Sequence, residues 1–538
     1  MIIKEKNRTV LLLFLCLLGG AFLRLFLLGR IPYGLNHDEA SIGYDAWALA
    51  HYGIDRNGYP WPIYPITWGS GGGSPLMVYL VLLTTRLFGK SVASLRFFPA
   101  FLGALTPPVL ALLTLVEPAE SGDKTDKKAS SRLIFAFFLA FLCAVNPWHL
   151  ILSRWALDAN TLPFFLTAAL VSYLYAATRT AHRLPWYLLS AFLFALCPYA
   201  YGSATVVIPL ALVLLGIHTC RIGRMTPREL LLSALLFLLI LTPLLAVFAV
   251  NALHLPAIIT PWFSVPRFTA SRSVFPHGSG LAAQIKDNIR YLFLFFTIGS
   301  ERDEIICNVL PGYAQMYRFT FPLTWIGLLL SLGGLVKKDL RDAAFVLLTA
   351  VTVLFSLFIE LDINRMTMLL IPFLYFQSRA LRFLYEKKAV IAAACCAVIL
   401  CAAALFIRDY FGTRYADLSR SCFMPGYLEA VRDAKTLAGE DRSILSTREQ
   451  LSAPFMLALY ETELPPDAFL ESVVWRDEKE EFRIAISFAG FTFGLPQDLS
   501  SIDLSRVVVI LHESEVTDFP DIENCQVDSF GDFAVISR

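Results

Sequence analysis

Two adjacent carboxylates, Asp38 and Glu39, follow the first long apolar segment, within the stretch Asn36-His37-Asp38-Glu39-Ala40. Carboxylates are costly to hold near lipid, so a pair at the end of an apolar segment indicates a working site at a membrane surface. A carboxylate in such a place can accept a proton from a reacting group or hold a cation. The surrounding elements must then hold this pair at the boundary between membrane and water.

The composition is that of a polytopic membrane protein. The 538 residues are 56% hydrophobic and 17% charged, and their mean hydropathy is +0.60. Such a chain is too apolar for a soluble protein, whose charged residues must cover its surface. The net charge of +1 argues against a dedicated nucleic-acid binder, which needs a basic patch to meet phosphates.

Eleven apolar segments predict transmembrane helices, although several are shorter than the roughly 20 residues of an untilted span. They are 9–29, 93–116, 132–146, 160–178, 184–200, 203–220, 230–250, 320–336, 343–360, 366–379 and 389–407. A further apolar segment, 75–89, is short and contains Arg86, and we interpret it as a helix along the membrane interface.

The short basic clusters support this interpretation, because with eleven spans they all fall on one side of the membrane. The clusters are Lys4/Lys6/Arg8, Lys124/Lys127/Lys128/Arg132, Arg179/Arg183, Arg221/Arg224/Arg228, Lys337/Lys338/Arg341 and Arg379/Arg382/Lys387/Lys388. Cytoplasmic loops carry such an excess of Lys and Arg. We therefore predict a cytoplasmic N-terminus, although Arg86, Lys90 and Arg96 count against the assignment.

The predicted outer face carries the longer loops and the C-terminal tail. The first outer loop is 30–92, and 251–319 forms another. The tail, 408–538, has acidic runs, a helix-like stretch at 425–438 and β-type runs at 507–511 and 533–536. We predict a mainly α membrane domain (1–407) with outer-face interfacial helices, and a small extracytoplasmic α/β domain (408–538).

Several short motifs follow one another along residues 1–380. They are Asp38-Glu39-Ala40, Tyr44-Asp45-Ala46-Trp47, His51-Tyr52-Gly53-Ile54-Asp55-Arg56-Asn57-Gly58, Ser74-Pro75-Leu76, Leu95-Arg96, Asn146-Pro147, Ser153-Arg154-Trp155-Ala156-Leu157-Asp158-Ala159-Asn160 and Asn364-Arg365-Met366. Together they resemble the motifs of the integral-membrane GT-C glycosyltransferases, and most closely those of the protein O-mannosyltransferase and aminoarabinose-transferase-like group of glycosyltransferase family 39. The tail carries none of these motifs.

The resemblance implies transfer of a sugar from a polyprenyl-phosphate donor to an acceptor on the outer face, the acceptor being a protein, a lipid or a wall polymer. Asp38 would be the general base that takes the acceptor proton in a direct, inverting displacement. Glu39 would support it by hydrogen bonding or by holding an ion. Arg154 and Arg365, with Asp158 beside them, would form the donor phosphate site. His37, Tyr44 and His149 are weaker candidates for substrate contacts.

Each of these residues also has a structural interpretation. Asp38 and Glu39 suit the first turn of a helix over 38–52, and Asp158 suits the N-terminal cap of the span that follows it. Arg154 and Arg365 suit side chains that reach from a span to the interface. The dense aromatic set of the first loop, which includes Trp68, suits an interfacial belt.

A divalent metal is a further expectation of the resemblance, and here the sequence departs from the pattern. Some relatives carry Glu-Lys before the proline of the second interfacial helix, where this chain has Gly71-Gly72-Gly73-Ser74-Pro75. The glycine run predicts a mobile loop. A replacement acid would have to come from Glu301, Asp303 and Glu304, which also suit a solvated charge cluster.

Two other functions fit a chain of this kind. A secondary transporter or lipid flippase would also have many spans, but it tends to place polar groups near the membrane midplane and to show repeats. Here the ionisable residues lie at the outer ends of spans. An oligosaccharide ligase, which transfers a whole glycan, would share the spans, the acidic pair and the outer loops.

Overall fold

A computed structural model of the chain describes residues 2–68, 73–116, 126–270, 280–299 and 306–538. The predicted glycine loop (Gly71, Gly72) and the acids Glu301, Asp303 and Glu304 lie outside the described residues, as do Lys124 and the side chains of Lys4, Lys6, Lys127 and Lys128.

The first half of the chain is almost wholly helical, and proline at the first or second position opens several helices, where its missing N–H costs no hydrogen bond. The helices are α1 (Ile2–Leu25), α2 (His37–Tyr52), α3 (Pro75–Phe88), α4 (Val92–Ala111), α5 (Asp126–Val145), α6 (Pro147–Leu152), α7 (Leu162–Thr178), α8 (Leu184–Ala200), α9 (Ala204–Arg221) and α10 (Pro227–Ala252).

The second half continues the helical bundle and then changes character. The helices are α11 (Gly280–Thr297), α12 (Phe321–Val336), α13 (Leu340–Ser356), α14 (Leu370–Lys387), α15 (Ala389–Phe411), α16 (Thr413–Leu418), α17 (Arg420–Phe423), α18 (Tyr427–Ala438), α19 (Pro454–Thr462), α20 (Pro466–Ser472) and α21 (Glu513–Val516).

The strands lie mostly in the tail. They are β1 (Ile258–Ile259), β2 (Ser264–Val265), β3 (Ser443–Ser446), β4 (Val474–Trp475), β5 (Ala485–Phe488), β6 (Phe491–Phe493), β7 (Val507–His512), β8 (Gln526–Phe530) and β9 (Phe533–Ser537). β1 and β2 form a small hairpin, and the other seven form one sheet in the order β4-β5-β6-β3-β7-β9-β8. β3 runs parallel to β6 and β7, and β9 antiparallel to β7. The small α/β domain predicted for the tail is therefore confirmed.

Each of the eleven predicted spans lies on a helix. Within the described residues, seven helices are long and apolar enough to cross a membrane, namely Asn7–Leu25, Val92–Val116, Asp158–Thr178, Ala204–Arg221, Pro227–Ala252, Arg318–Val336 and Ala389–Phe411. Two more predicted spans, on α5 and α8, coincide with shorter apolar helices. A mainly α, polytopic membrane protein is confirmed, whereas the count of eleven and the sidedness stay predictions.

The segment predicted as an interfacial helix is helical, and the predicted loop 251–319 contains a helix that we did not predict. The interfacial segment 75–89 contains α3, whose 14 residues span about 21 Å, less than the roughly 30 Å of a bilayer core. In the predicted loop 251–319, α11 places Asn288, Tyr291, Leu292 and Phe295 on a buried face. Hydropathy does not predict α11, because charged residues interrupt its apolar positions.

The described chain divides into two compact units. The first unit comprises 1–26, 99–242 and 273–412, and the second comprises 27–98, 243–272 and 413–538. The division falls within α4 and α10. The first loop and the tail, which we predicted in different domains, thus belong to the same unit, and independent folding of 408–538 stays a prediction.

Candidate active site

The acidic pair lies in the first turn of α2, in the second unit. Asn36 precedes the helix with extended backbone, and its side chain accepts a hydrogen bond from the Asp38 backbone N–H at 2.8 Å. The Glu39 carboxylate accepts from the Asn36 backbone N–H at 3.3 Å. This reciprocal arrangement is a capping box, which fixes the start of a helix. The cap accounts for where α2 begins, and it leaves the Asp38 carboxylate uncommitted.

Glu39 is fully buried and holds a two-pronged ion pair with Arg96 of α4. Arg96 Nε lies 2.8 Å from Glu39 Oε1, and Arg96 Nη2 lies 2.7 Å from Oε2. The same guanidinium donates to the carbonyls of Pro32 and Gly34 at 2.7 and 2.9 Å, and it lies over the ring of Phe423. A buried charge needs such complete pairing. Glu39 therefore fastens the start of α2 to α4 and to the turn before it.

Asp38 has the opposite environment, with 31% of its side chain exposed. Its Oδ1 accepts a hydrogen bond from the indole N–H of Trp68 at 3.2 Å, and Nε2 of His37 lies 3.9 Å away. The His37 ring meets the Trp68 ring edge-on at 5.6 Å between centroids. Asp38 is thus a carboxylate held by one neutral donor and open on one side, as a base that meets a substrate must be.

Residues of the tail, which belongs to the same unit, pack against Trp68. Phe455 of α19 lies edge-on to Trp68 at 6.3 Å and to Trp475 at 5.9 Å. The Arg483 guanidinium lies 4.4 Å from the centre of the Trp475 ring, and the Arg483 backbone N–H donates to the Trp68 carbonyl at 3.4 Å. Residues some 400 positions away in the chain thus support the tryptophan that binds Asp38.

Further along α2, Tyr44 is buried and its hydroxyl donates to the Leu464 carbonyl at 2.6 Å. Asp45 is also buried and pairs with Arg56 at 3.0 Å. Arg56 in turn donates to the Ser41 hydroxyl at 2.6 Å. These contacts join α2 to the turn that follows it and to the tail. The predicted substrate contact of Tyr44 stays a prediction, and its hydroxyl is already engaged.

Asp55 lies in that turn, fully buried. Its Oδ1 accepts hydrogen bonds from the backbone N–H groups of Asn57 and Tyr59, each at 2.9 Å. Its Oδ2 is buried and has no hydrogen-bond partner among the residues that the structure describes. Burial, together with the neighbouring Asp45 carboxylate, raises the pKa of Asp55 from 3.8 to about 7. The turn therefore holds a carboxyl group that binds a proton near neutral pH.

Arg154 lies in the first unit, where its guanidinium caps the C-terminal end of α1. It is fully buried, and its Nη1 and Nη2 donate to the carbonyls of Leu23, Arg24 and Phe26 at 2.7 to 2.9 Å. The guanidinium lies 4.8 Å from the centre of the Phe411 ring. These contacts satisfy carbonyls that a helix end leaves without partners. A phosphate contact of Arg154 stays a prediction and would have to coexist with them.

His149 is also buried in the first unit. Its Nδ1 lies 2.6 Å from Nη2 of Arg24 and 3.8 Å from the Cys143 thiol. Burial, with the Arg24 guanidinium beside it, holds the pKa of His149 well below its usual range. The ring is therefore neutral and accepts from Arg24 at Nδ1. Its predicted substrate contact stays untested.

Asp158 and Arg365 both lie at the starts of helical segments of the first unit. Asp158 opens the 3₁₀ turn Asp158–Thr161 before α7, and its Oδ1 accepts from the Ala159 backbone N–H at 2.7 Å. Arg365 pairs with Asp362 at 3.2 Å and with Glu360 at 3.6 Å. Asp158 therefore lies one short turn before α7, whose N-cap residue is Thr161, and the interpretation of Asp158 as the cap of that span is wrong. The interface interpretation of Arg365 and the phosphate contacts of both residues stay predictions.

The structure thus gathers Asp38, Glu39, His37 and Tyr44 in the second unit and Arg154, Asp158, His149 and Arg365 in the first. Arg96 was present in the quoted motif, but nothing in the sequence indicated that it pairs with Glu39. Trp68 was part of the aromatic set that we interpreted as a belt. Phe455, Trp475 and Arg483 carried no signal, because only tertiary structure brings them near Trp68.

The residues present do not fit a metal site at the acidic pair. Both oxygens of Glu39 already accept from Arg96, so neither is free for a cation without breaking a buried ion pair. Among the described residues, no group of three or more His, Cys, Asp and Glu side chains could hold a metal ion. The acidic pair is therefore assigned no metal-dependent step.

No protein-family model matches the sequence, and a search of curated proteins finds no match. Solved structures do match. ArnT from Cupriavidus metallidurans bound to undecaprenyl phosphate aligns with a TM-score of 0.56 at 12% identity, over 98% of this chain and 97% of that one.

The archaeal oligosaccharyltransferase AglB from Archaeoglobus fulgidus, in complex with an inhibitory peptide and a dolichol-phosphate, aligns with a TM-score of 0.50 at 15% identity, over 85% of this chain. An Archaeoglobus fulgidus oligosaccharyltransferase in complex with Zn and sulfate aligns with a TM-score of 0.51 at 16% identity, over 84% of this chain. This chain spans 64% and 61% of their respective lengths.

These proteins are membrane glycosyltransferases of the GT-C type. At identities of 12 to 16% the likeness establishes the fold and not the reaction. The likeness to ArnT extends over nearly the full length of both chains, tail included. The chain therefore has the GT-C fold that its motifs predicted.

Proposed function

We propose that this protein is a glycosyltransferase that moves a sugar from a polyprenyl-phosphate donor to an acceptor hydroxyl, with Asp38 as the general base. The observation that carries the proposal is the division of roles within the acidic pair. Glu39 is engaged in a buried ion pair with Arg96, whereas Asp38 is accessible and its carboxylate is oriented by a hydrogen bond from Trp68. A fold shared with proteins solved with undecaprenyl phosphate and dolichol-phosphate supports the donor class.

In the proposed reaction, the acceptor oxygen attacks the anomeric carbon while its proton passes to an Asp38 carboxylate oxygen. The bond between the anomeric carbon and the phosphate oxygen breaks, and polyprenyl phosphate leaves with the electron pair. One displacement inverts the anomeric carbon. Asp38 then returns its proton to water, since an exposed carboxyl group exchanges freely with solvent.

The remaining parts of the proposal concern binding and sidedness. Arg365 pairs with acids of its own loop and can exchange these partners for a donor phosphate. Arg154 is less suited to that role, because it is fully buried and donates to backbone carbonyls. The basic clusters support a cytoplasmic N-terminus and an acidic pair on the outer face. A divalent cation, as in the zinc-containing oligosaccharyltransferase structure, is not part of the proposal.

The test is to incubate the purified full-length protein in liposomes with a panel of radiolabelled polyprenyl-phosphate sugars and an outer-envelope lipid and protein extract as acceptor. We expect release of free polyprenyl phosphate together with transfer of label to an acceptor. Movement of intact donor across the bilayer without cleavage would instead identify a flippase. Cleavage only of polyprenyl-linked oligosaccharides would identify a ligase.

A further inference from the structure

A cavity lies between α8, α9 and α10, within the first unit and away from the acidic pair in sequence. Its volume is about 250 Å³, and its walls are almost wholly apolar. Phe194 of α8, Leu212 of α9 and Leu230 and Phe237 of α10 line it. A cavity with such walls does not hold ordered water, which needs polar partners. The space suits a hydrocarbon chain.

The cavity opens toward the membrane. Val213 of α9 and Leu238 of α10 line it and are 59% and 50% exposed. Both helices are among those long and apolar enough to span a membrane, so exposed apolar side chains on them face lipid. A lipid chain can therefore enter from the side, between α9 and α10.

One end of the cavity adjoins a basic surface. Tyr187, which lines the cavity, donates its hydroxyl to the Arg224 carbonyl at 2.8 Å. Arg224 borders a second hollow of about 100 Å³ together with Lys338, Asp339 and Arg341. Asp339 pairs with Arg341 at 3.1 Å. Arg224 and Lys338 are both exposed, and among the described residues neither side chain pairs with an acid, so both are available to meet an anion there.

Met225, next to Arg224 in the chain, lines the apolar cavity, so the loop between α9 and α10 joins the cavity to the basic surface. The cavity extends along α10 from Leu230 to Leu238, which is about 12 Å of helix, and Lys338 lies in the loop between α12 and α13. Basic pockets between transmembrane helices bind anionic lipid head groups. We propose that this cavity holds one acyl chain of an anionic phospholipid whose phosphate binds Arg224 and Lys338.

This lipid is not the sugar donor. The basic clusters that include Arg224 and Lys338 mark the face predicted to be cytoplasmic, whereas the proposed transfer takes place on the opposite face. The site therefore acts as a structural lipid site for α8 to α10, and only its distinction from the donor site rests on the proposed function.

The test is native mass spectrometry of the full-length protein after incubation with equimolar phosphatidylglycerol, phosphatidylcholine and undecaprenyl phosphate. We expect the protein to retain phosphatidylglycerol in preference to phosphatidylcholine, and any undecaprenyl phosphate that it retains to be unaffected by changes at this cavity. Arg224→Gln and Lys338→Gln should each lower that retention about five-fold, since one basic residue near a lipid surface contributes about that factor. Lys337→Gln, an exposed neighbour outside the hollow, is the matched control and should change nothing.

A second pair of variants tests the apolar part. Ala234→Trp should fill the cavity mouth and lower retention of every lipid at this site, whereas Leu235→Trp, on the adjacent exposed residue outside the cavity, should not. Equal retention of phosphatidylglycerol and phosphatidylcholine by the wild type would overturn the proposal, as would unchanged retention in the Arg224 and Lys338 variants. Preferential retention of undecaprenyl phosphate that these variants abolish would also overturn it, by assigning the cavity to another lipid.

Discussion

Asp38 and Glu39 are neighbours in the chain, and the fold gives them opposite environments. The Glu39 side chain is fully buried and bonded at both oxygens to Arg96, whereas the Asp38 side chain is partly exposed and contacts Trp68 and His37. Both residues also contribute to the cap of α2, Glu39 through its side chain and Asp38 through its backbone N–H. Helix capping and catalysis are thus compatible here, because the cap does not use the Asp38 carboxylate.

We predict that Glu39→Gln acts on stability before it acts on chemistry. Gln cannot balance the Arg96 charge, and an unpaired buried charge costs about 3 to 5 kcal/mol. The thermal unfolding temperature of the purified protein in detergent measures this loss. Glu463→Gln, which removes the half-exposed partner of Lys90, is the control and should cost about 0 to 1 kcal/mol. Similar unfolding temperatures for the two variants would contradict the assigned role of Glu39.

The sequence predicted this site only in part. The acidic pair, its position after the first span and its helix were predictable, because hydropathy and first-turn acids are local signals. The Arg96 partner was not, since it lies 57 positions along the chain and only the packing of α4 beside α2 brings it close. Arg154 and Arg365 were predicted as phosphate ligands or interface anchors. A guanidinium that caps a helix end, as Arg154 does, gives no signal in the sequence.

At the scale of elements, the turn after α2 contains two buried charged residues, Asp55 and Arg56. The helix ends at Gly53, whose φ of 72° requires the left-handed conformation that glycine adopts readily. The Asp55 side chain then closes the turn through two backbone N–H groups. The Asp45–Arg56 pair ties the turn back to α2. Because polar contacts of the Asp55 carboxyl group hold this turn, its stability depends on whether Asp55 is protonated.

We predict that Asp55 makes this stability fall as the pH rises. Its pKa in the folded chain is about 7, raised from 3.8 by burial and by Asp45. The folded state therefore binds the proton more tightly, and the stabilisation is complete below about pH 4 and is lost as the pH rises through about 7. Asp55→Asn, which mimics the protonated form, should gain in unfolding temperature over the wild type at pH 8 and much less at pH 5.

The control for this comparison is Asp467→Asn, at an exposed position in the first turn of α20. Its difference from the wild type should be the same at both pH values. A difference for Asp55→Asn that does not grow between pH 5 and pH 8 would show that Asp55 is ionised in the folded protein throughout this range.

At the scale of the whole molecule, hydropathy predicted the helical membrane architecture. No motif of the sequence predicted the function of the tail. Each predicted span lies on a helix because an apolar run long enough to cross a bilayer must satisfy its backbone internally. The strands 507–511 and 533–536 were also predictable from their β-branched runs. The packing of α19 against α2 in one unit depends on complementary surfaces, which a single sequence does not reveal.

This association changes how the tail is interpreted. Gly43 of α2 approaches Tyr460 of α19 so closely that an added Cβ would lie 2.6 Å from its ring, and Tyr44 donates to the Leu464 carbonyl. The tail therefore helps to fix α2, the helix that carries the acidic pair. We consequently infer that Asp38 is the reactive group of a site that the first loop and the tail form together.

The most direct test of that claim is the turnover of a polyprenyl-phosphate sugar by Asp38→Asn and wild-type protein in the same liposomes. Asn keeps the size of the side chain and an oxygen that can accept from Trp68, but it cannot take up the acceptor proton. We predict a loss of about a hundred- to ten-thousand-fold in kcat, with donor binding and unfolding temperature unchanged. Turnover by Asp38→Asn close to that of the wild type would contradict the claim and reduce Asp38 to a residue of the helix cap.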